Sequence, residues 1–363
     1  MSRNHQSQSC APGRASLASD EEGGRTSPRG DRMRRRDFTI GLALAAAARS
    51  GRAQERVKQH RIAIVRPAGS VALISDTGIR TYRAFFEELR RLGDIEGQNL
   101  TVERYSGEGR PEGFAELARL VVNRNPDVIV VSSDAIARTA RAATGMIPIV
   151  WVGGDPIQAG LVTSLARPGG NITGVTVFAG NGIDGKRLQL LKEALPTASR
   201  VAYLDVRTYW EGDARSLREP SQQLQMSVVG VLLEKSTPSE YQRVFAEIAQ
   251  NRPDAIMVHG RADLTAYYQL VVELANKGRL PAMYPWRDYA EAGGLMAYGG
   301  GDLGEVGRRM ADEVHEILNG AKPGDIPIYQ PTKYELVINQ KTAQSLGLTL
   351  PPELLAAADE VIV

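Results

Sequence analysis

Two stretches of the sequence, 123-NRNPDVIVVSSDAIARTA-140 and 251-NRPDAIMVHGRADLTAYY-268, repeat one order of features. In each, Asn-Arg and Pro-Asp precede a short apolar run, which is followed by a polar turn and a helical pattern. The Pro-Asp pair ends one helix and leads into a strand. Short apolar runs between helices are typical of strands that are buried on both faces of a parallel sheet. The repeat therefore predicts two related α/β lobes.

The alternation of strands and helices continues on both sides of these stretches. Helical patterns include Tyr82–Leu92, Phe114–Asn123, Glu240–Ala249 and Leu264–Lys277. Ten or more strands are more than one sheet of a single domain usually contains. The predicted fold class is therefore α/β with two doubly wound, three-layer lobes. The candidate strands are Ile62–Val65, Leu100–Tyr105, Asp127–Ser132, Ile147–Val152, Ile172–Val177, Val201–Val206, Ser227–Leu233, Ala255–His259, Pro281–Tyr284 and Leu295–Tyr298.

The beginning of the chain has a different composition. Residues 1–32 are rich in Ser, Gly, Arg and Gln and contain almost no large apolar side chain. Such a segment cannot bury a core, so we expect it to be disordered. We also expect Met33 to be the true start, with the preceding residues as an over-extension.

Residues 33–53 have the three-part layout of an export signal. A basic cluster precedes the apolar run 40-IGLALAAAA-48, and small residues near Ala53 suit a cleavage site. The run is too short for the roughly 20 residues that a spanning helix needs. Within the cluster, 35-RRDF-38 resembles the twin-arginine consensus, and a Sec signal with a basic flank is the alternative. Either signal predicts a periplasmic protein.

Composition restricts the chemistry available after cleavage. The single cysteine, Cys10, lies in the segment expected to be absent, which leaves no disulfide, thiolate or cysteine metal site. Without residues 1–53, the whole-chain totals of 44 Lys/Arg and 42 Asp/Glu become 34 and 37, a formal charge of −3. Nucleic-acid binding thereby loses its electrostatic support, and we expect no nucleic-acid partner.

Catalytic motifs are absent from the sequence. The stretch 180-GNGIDGK-186 has the spacing of a P-loop, but Arg187 stands where the motif needs Ser or Thr. We interpret it as a structural turn, with Lys186 and Arg187 pairing at a hinge or touching ligand. The remaining histidines show no metal spacing, and a nucleophile–base pair is hard to assemble. The sequence argues against an enzyme and predicts no cofactor and no metal.

The carboxyl ends of the predicted strands are the expected place for a ligand, because open α/β sheets bind ligands there. The small and polar residues at these ends suit a small polar or zwitterionic ligand. The candidate ligand-binding residues of the first lobe are Ser70, Ser132, Ser133, Asp134, Gly154 and Asp155, and those of the second lobe are Asp205, Arg207, His259 and Trp286.

Two of these groups have specific expected roles. The turn 132–134 precedes a helix, so backbone N–H groups and the helix dipole can hold a carboxylate, although simple N-capping by Ser133 or Asp134 explains the same residues. Asp205 can receive an ammonium group, and Arg207 or Arg261 a carboxylate. Salt bridges at the surface or at a hinge are the alternative for these charged residues.

Five further segments follow one another between residues 160 and 362: 160-GLVTSLARPGGNITGVT-176, 185-GKRLQLLKEALP-196, 281-PAMYPWRDYAEAGGLMAYG-299, 317-ILNGAKPGDIPIYQPTKYELVIN-339 and 341-KTAQSLGLTLPPELLAAADEVI-362. Together and in this order, they resemble the ABC-transporter substrate-binding proteins of the TrpX-like group. The resemblance implies the type I periplasmic-binding-protein fold, in which two lobes joined by three crossings close on a ligand.

The resemblance also implies where the lobes begin and end. The first lobe would comprise residues 57–173 plus 295–326, and the second 174–294 plus 327–363. The crossings would lie near Asn171–Gly174, Gly293–Leu295 and Pro327–Thr332, where Gly and Pro permit the backbone to turn.

The function that the resemblance implies is that of a periplasmic solute-binding component of an ABC importer. Such a protein, expected to be a monomer, supplies a small molecule such as an amino acid to an inner-membrane permease driven by a cytoplasmic ATPase. The chain departs from the family pattern at 131-VSSDA-135 and at 205-DVR-207, so the family's binding residues are not carried over there. A periplasmic sensing module coupled to a membrane receptor is the alternative, because the fold alone does not separate the two.

Overall fold

The computed structural model describes residues 58–363 except 178, 179, 181 and 301. The expected disordered segment 1–32 and the expected export signal 33–53 lie outside the described residues. Within the described residues, none of the helices combines the length and the apolar character that a membrane span requires.

The described chain alternates strands with helices. The strands are β1 (His60–Arg66), β2 (Leu100–Ser106), β3 (Val128–Val131), β4 (Ile149–Gly153), β5 (Ile172–Thr176), β6 (Arg200–Val206), β7 (Ser227–Leu233), β8 (Ala255–Val258), β9 (Ala282–Tyr284), β10 (Met296–Gly300), β11 (Tyr334–Asn339) and β12 (Glu360–Ile362). The helices are α1 (Arg80–Leu92), α2 (Phe114–Asn123), α3 (Asp134–Ala143), α4 (Ile183–Ala194), α5 (Trp210–Gln223), α6 (Pro238–Asn251), α7 (Ala262–Thr265), α8 (Tyr268–Lys277), α9 (Arg287–Glu291), α10 (Leu303–Leu318), α11 (Gln340–Leu346) and α12 (Pro352–Ala357).

The first sheet has five parallel strands in the order β2-β1-β3-β4-β5. Alternate residues of each strand enter two different cores, because successive side chains point to opposite faces. Ile62 and Ile64 pack with α1 and α10 on one face. Ala63 and Val65 pack with α2 and α3 on the other. This sheet and these four helices form the first lobe.

The second sheet has seven strands in the order β12-β11-β10-β9-β8-β6-β7. Only the β10–β11 pair is antiparallel among its described neighbours. Leu204 of β6 packs with α6 and α8 on one face. Tyr203 packs with α4, α5, α11 and α12 on the other. This sheet and its helices form the second lobe.

The two sheets share one topology. Five strands of the second sheet, in the order β7-β6-β8-β9-β10, match the five strands of the first sheet, in the order β2-β1-β3-β4-β5, position by position. The third strands of the two series, β3 and β8, therefore correspond. These are the strands of the two repeated stretches. The predicted fold class of two doubly wound α/β lobes is confirmed, and all ten expected strands are present. The sequence pattern missed β11 and the three-residue β12.

Two of the expected crossings lie elsewhere in the structure. β5 pairs with β4 through Thr176, so the chain leaves the first sheet after that residue and not at 171–174. β10 pairs with β9 and β11, so its assignment to the first lobe was wrong, and the chain returns only after Gly300. Gly293 and Gly294 instead accompany the end of α9, where their N–H groups bond back to that helix.

The chain passes from the first lobe to the second for the last time after Tyr329. The N–H group of Tyr329 donates to the carbonyl of Gly174 at 2.9 Å, and that of Thr176 donates to Tyr329 at 2.8 Å. Tyr329 therefore still lies beside the first sheet, and the next strand, β11, belongs to the second. Within the part of the chain that the structure describes, these are three passages between the lobes.

Candidate functional site

A cavity of about 460 Å³ lies between the carboxyl ends of the two sheets, and both lobes line it. Its volume is within the usual range for small-molecule sites. Among the sequence-predicted residues, those that line it are Ser132, Ser133, Asp134, Gly154, Asp155, His259 and Trp286.

Three sequence-predicted residues do not line the cavity. The Ser70 hydroxyl accepts a hydrogen bond from the Ala72 N–H group at 3.2 Å and so caps a short turn. Arg207 pairs with Glu234 on the exposed surface. Asp205 is fully buried behind the wall. A strand end locates the backbone near the site, but it does not fix where a side chain points. Asp205 still belongs to β6, whereas Arg207 lies beyond the end of that strand, where the pleat no longer sets the direction of the side chain.

The amino end of α3 forms part of the first-lobe wall. Ser133 holds the N-cap position, but its side chain makes no capping hydrogen bond. Asp134 Oδ1 instead accepts from the indole Nε1 of Trp151 at 3.0 Å and from the Gly154 N–H group at 3.1 Å. Burial raises the pKa of Asp134, and these two hydrogen bonds oppose that rise. Simple N-capping therefore does not account for the residues 132–134.

Arg66 and Tyr82 line the cavity beside this turn and were not among the predicted residues. Arg66 ends β1, next to β3, where the strand order of the first sheet changes direction. This switch point is the usual ligand position in such sheets. The guanidinium of Arg66 lies over the Tyr82 ring at 5.5 Å from its centre. Tyr82 contributes an aromatic surface close to Ser132.

Asp184 and Arg187 lie in the second-lobe wall, within the stretch that has the P-loop spacing. Asp184 is buried and accepts hydrogen bonds from Arg187 Nη1 and from the Tyr203 hydroxyl, each at 2.8 Å. Burial alone disfavours its charge, but Arg187 and its other partners hold the pKa of the Asp184 carboxyl below its usual value. Arg187 also donates through Nε to the carbonyl of Tyr298 at 2.8 Å. Both residues belong to α4, so residues 183–186 of this stretch are helical, and the interpretation of that part as a turn was wrong.

His259 lies between two carboxylates. Its Nε2 is 4.0 Å from Oδ2 of Asp184 and 3.8 Å from Oδ2 of Asp213. Burial lowers the pKa of His259 to about 4, and the nearby Arg261 adds to that effect. The imidazole is therefore neutral at pH 7.

Arg261 is held at the cavity wall by three neighbours. Its Nε donates to Asp205 Oδ1 at 3.1 Å and its Nη2 donates to Asp213. Its guanidinium lies 4.0 Å from the centre of the Tyr209 ring. Burial raises the pKa of Asp205 well above its usual value, and Arg261 opposes that rise. The guanidinium is thus fixed before any ligand arrives.

Asp213 was missed by sequence reasoning because it lies inside α5 and not at the end of a strand. Tyr209, which precedes α5, also lines the cavity. Within the described residues, no group of three or more His, Cys, Asp or Glu side chains is arranged to hold a metal ion.

The family model for ABC transporter substrate binding proteins matches residues 70–362. The chain belongs to this family. A tyrosine-binding protein of Clostridioides difficile is 27% identical to this substrate-binding protein over 271 residues, which cover 73% of this chain and 76% of the relative.

Two solved structures are similar in fold. A conserved domain protein from Vibrio cholerae has 28% identity and a TM-score of 0.70, over 84% of this chain and 100% of the other. An ABC domain from Streptococcus pneumonia in complex with L-Trp has 23% identity and a TM-score of 0.69, with the same coverage. These likenesses confirm the two-lobed type I periplasmic-binding-protein fold.

Proposed function

We propose that this substrate-binding protein captures one amino acid between its lobes in the periplasm and delivers it to the permease of an ABC importer. The observation that carries the proposal is the cavity itself. It lies at the switch points of two topologically equivalent sheets, and polar and charged groups of both lobes line it.

The first-lobe wall suits the carboxylate of the ligand. The Ser133 side chain does not cap the N–H groups in the first turn of α3. Ser132 and Ser133 line the cavity next to this turn. The amino end of a ten-residue helix attracts an anion through these N–H groups and the helix dipole.

The second-lobe wall suits the ammonium group. Asp184 and Asp213 both line the cavity, and the neutral His259 lies between them. A carboxylate binds an ammonium group through short, charge-assisted hydrogen bonds. The two walls together would fix the orientation of a zwitterion.

Aromatic side chains from both lobes supply a surface for a flat apolar group. Tyr82 belongs to the first lobe, whereas Tyr209 and Trp286 belong to the second. Stacking on such rings is favourable for aromatic side chains. The relative from Clostridioides difficile, a tyrosine-binding protein, supports an aromatic amino acid as the ligand of this chain.

Transport requires partners and a location that follow from the family. We propose a monomer that is exported by the signal at 33–53, closes its lobes on the ligand, and docks on an inner-membrane permease coupled to a cytoplasmic ATPase. Amino-terminal sequencing of the protein from the periplasm tests the export step. A mature chain that starts near residue 54 is expected, and a chain that retains residues 33–53 would contradict it.

A thermal-shift screen of the purified protein against the L-amino acids tests the ligand. A ligand that binds only the folded state raises the melting temperature by mass action. We expect at least one aromatic amino acid to do so in the wild type and equally in Arg207→Ala, which lies outside the cavity. The same amino acid should cause a smaller rise in Asp213→Asn. If no L-amino acid changes the melting temperature of the wild type, the proposal fails.

A further inference from the structure

The two lobes also meet outside the cavity, at a contact that we call the lip and define as residues 107–112 and 234–236. The first loop follows β2 and the second follows β7. β2 is the edge of the first sheet that lies away from β5, and β7 is the edge of the second sheet that lies away from β10. The chain passes between the lobes after β5 and after β10. The lip therefore lies on the side of the cleft opposite the crossings.

The lip contact is made by backbone. A Cβ atom built on Gly109 would lie 2.6 Å from the carbonyl oxygen of Ser236 and 3.0 Å from its nitrogen. Ser236 is buried there, at 4% exposure. Beside it, Lys235 Nζ lies 4.0 Å from Glu112 Oε1, which is a second link between the lobes. None of these four residues lines the cavity.

The first loop presents Gly109 on a tight turn. Glu108 and Gly109 have φ values of 53° and 71°, and the Arg110 N–H group donates to the carbonyl of Gly107 at 2.9 Å. Positive φ at both central residues is the geometry of a type I′ turn. The Gly109 N–H group also donates to the carbonyl of Pro67 at 2.8 Å, which ties the turn to the loop after β1. The loop thus has little freedom to yield to a side chain at residue 109.

We propose that the lip is the closure contact of the cleft and that only glycine at residue 109 allows it to form. A side chain there holds the lobes apart, so a residue outside the ligand site sets the population of the closed form. Apparent ligand affinity falls in proportion to that population. This last consequence rests on the proposed function, whereas the contact itself does not.

Cross-linking tests the contact without ligand. Cys10→Ser is introduced into the full chain, and Glu112→Cys with Lys235→Cys then places one thiol on each side of the lip. We expect a short bis-maleimide to join them within one chain, as detected by mass spectrometry of the peptides. Glu112→Cys with the exposed Lys277→Cys, at the far end of α8, is the pair expected not to join.

Gly109→Val should lower the yield of this cross-link about tenfold, and Gly109→Ala should lower it less. Gly97→Val is the matched control. Gly97 also has a positive φ, of 82°, but beyond its two chain neighbours no atom of the described residues lies within 4 Å of its added Cβ. Circular dichroism verifies that each variant folds. Equal cross-link yields in the Gly109 and Gly97 variants would overturn the proposal.

Calorimetric affinity for the amino acid found in the thermal-shift screen separates the two proposals. We expect about tenfold weaker binding in Gly109→Val and unchanged binding in Gly97→Val. If the cross-link behaves as expected but no amino acid binds the wild type, the proposed function fails and the closure contact stands. If the cross-link is lost while affinity is unchanged, the control of affinity by residue 109 is overturned.

Discussion

Arg261 donates through Nε to Oδ1 of the fully buried Asp205 at 3.1 Å. The sequence pattern assigned Asp205 to direct contact with the ligand. In the structure Asp205 lies behind the wall and fixes a guanidinium that does line the cavity. Asp205 is therefore a positioning residue, and its replacement acts through Arg261.

Asp205→Ala should lower the free energy of unfolding by about 2 kcal/mol, because the Arg261 Nε group then loses its partner in a largely buried site. Urea denaturation at pH 7 measures this change. Glu234→Ala is the control, since it removes the partner of the exposed Arg207 and should cost less than about 1 kcal/mol. Equal effects of the two substitutions would contradict the positioning role.

His259 should make the protein less stable as the pH falls from 6.5 to 4. Burial lowers the pKa of His259 to about 4, so over this range the unfolded chain takes up a proton that the folded protein does not. The full effect is on the order of 2–3 kcal/mol. To isolate the contribution of His259, the free energy of unfolding is measured between pH 6.5 and 4 for the wild type and for His259→Gln, and the two values are subtracted. A difference that is independent of pH would show that the buried imidazole does not titrate in this way.

Asp288 should have the opposite effect. Burial raises the pKa of Asp288 to about 6, Glu291 adds to that rise, and Arg80 opposes it. Between pH 6 and 4 the folded protein therefore retains a proton that the unfolded chain releases, and stability from this group grows as the pH falls.

Asp288→Asn should consequently stabilise the protein at pH 7, by about 1–2 kcal/mol, because it removes a buried carboxylate whose Oδ2 has no hydrogen-bond partner among the described residues. Urea denaturation at pH 7 and pH 4 measures the gain, which should vanish at the lower pH. Asp76→Asn, in an exposed pair with Arg90, is expected to change stability at neither pH. A destabilised Asp288→Asn at pH 7 would be inconsistent with the assigned direction.

The fold could be predicted from sequence because the two repeated stretches carry local signals. Pro-Asp before an apolar run and a polar turn after it predicted β3 and β8, the corresponding strands of two equivalent sheets. The crossings could not be placed in the same way. Gly293 suggested a passage between lobes, but it follows the end of α9, and only strand pairing shows that β10 belongs to the second sheet.

The site was partly predictable for a similar reason. The strand-end rule found Ser132, Ser133 and His259, whose side chains line the cavity. It could not find Asp213, which reaches the site from inside a helix. The same rule wrongly placed Arg207 at the site. Its side chain points outward and pairs with Glu234, and the residues next to Arg207 in the sequence do not indicate either feature.

We propose that one amino acid is held by groups from both lobes. Isothermal titration of the purified full chain with L-tyrosine and L-tryptophan tests it most directly, in the wild type, in Ser133→Ala of the first lobe and in Asp213→Asn of the second. We expect one site in the wild type for at least one of the two amino acids. The affinity should be about tenfold weaker in each variant, because loss of one partner of a charged hydrogen bond costs about 1.5–3 kcal/mol. Binding that is unaffected by either substitution, or no binding of either amino acid by the wild type, would contradict it.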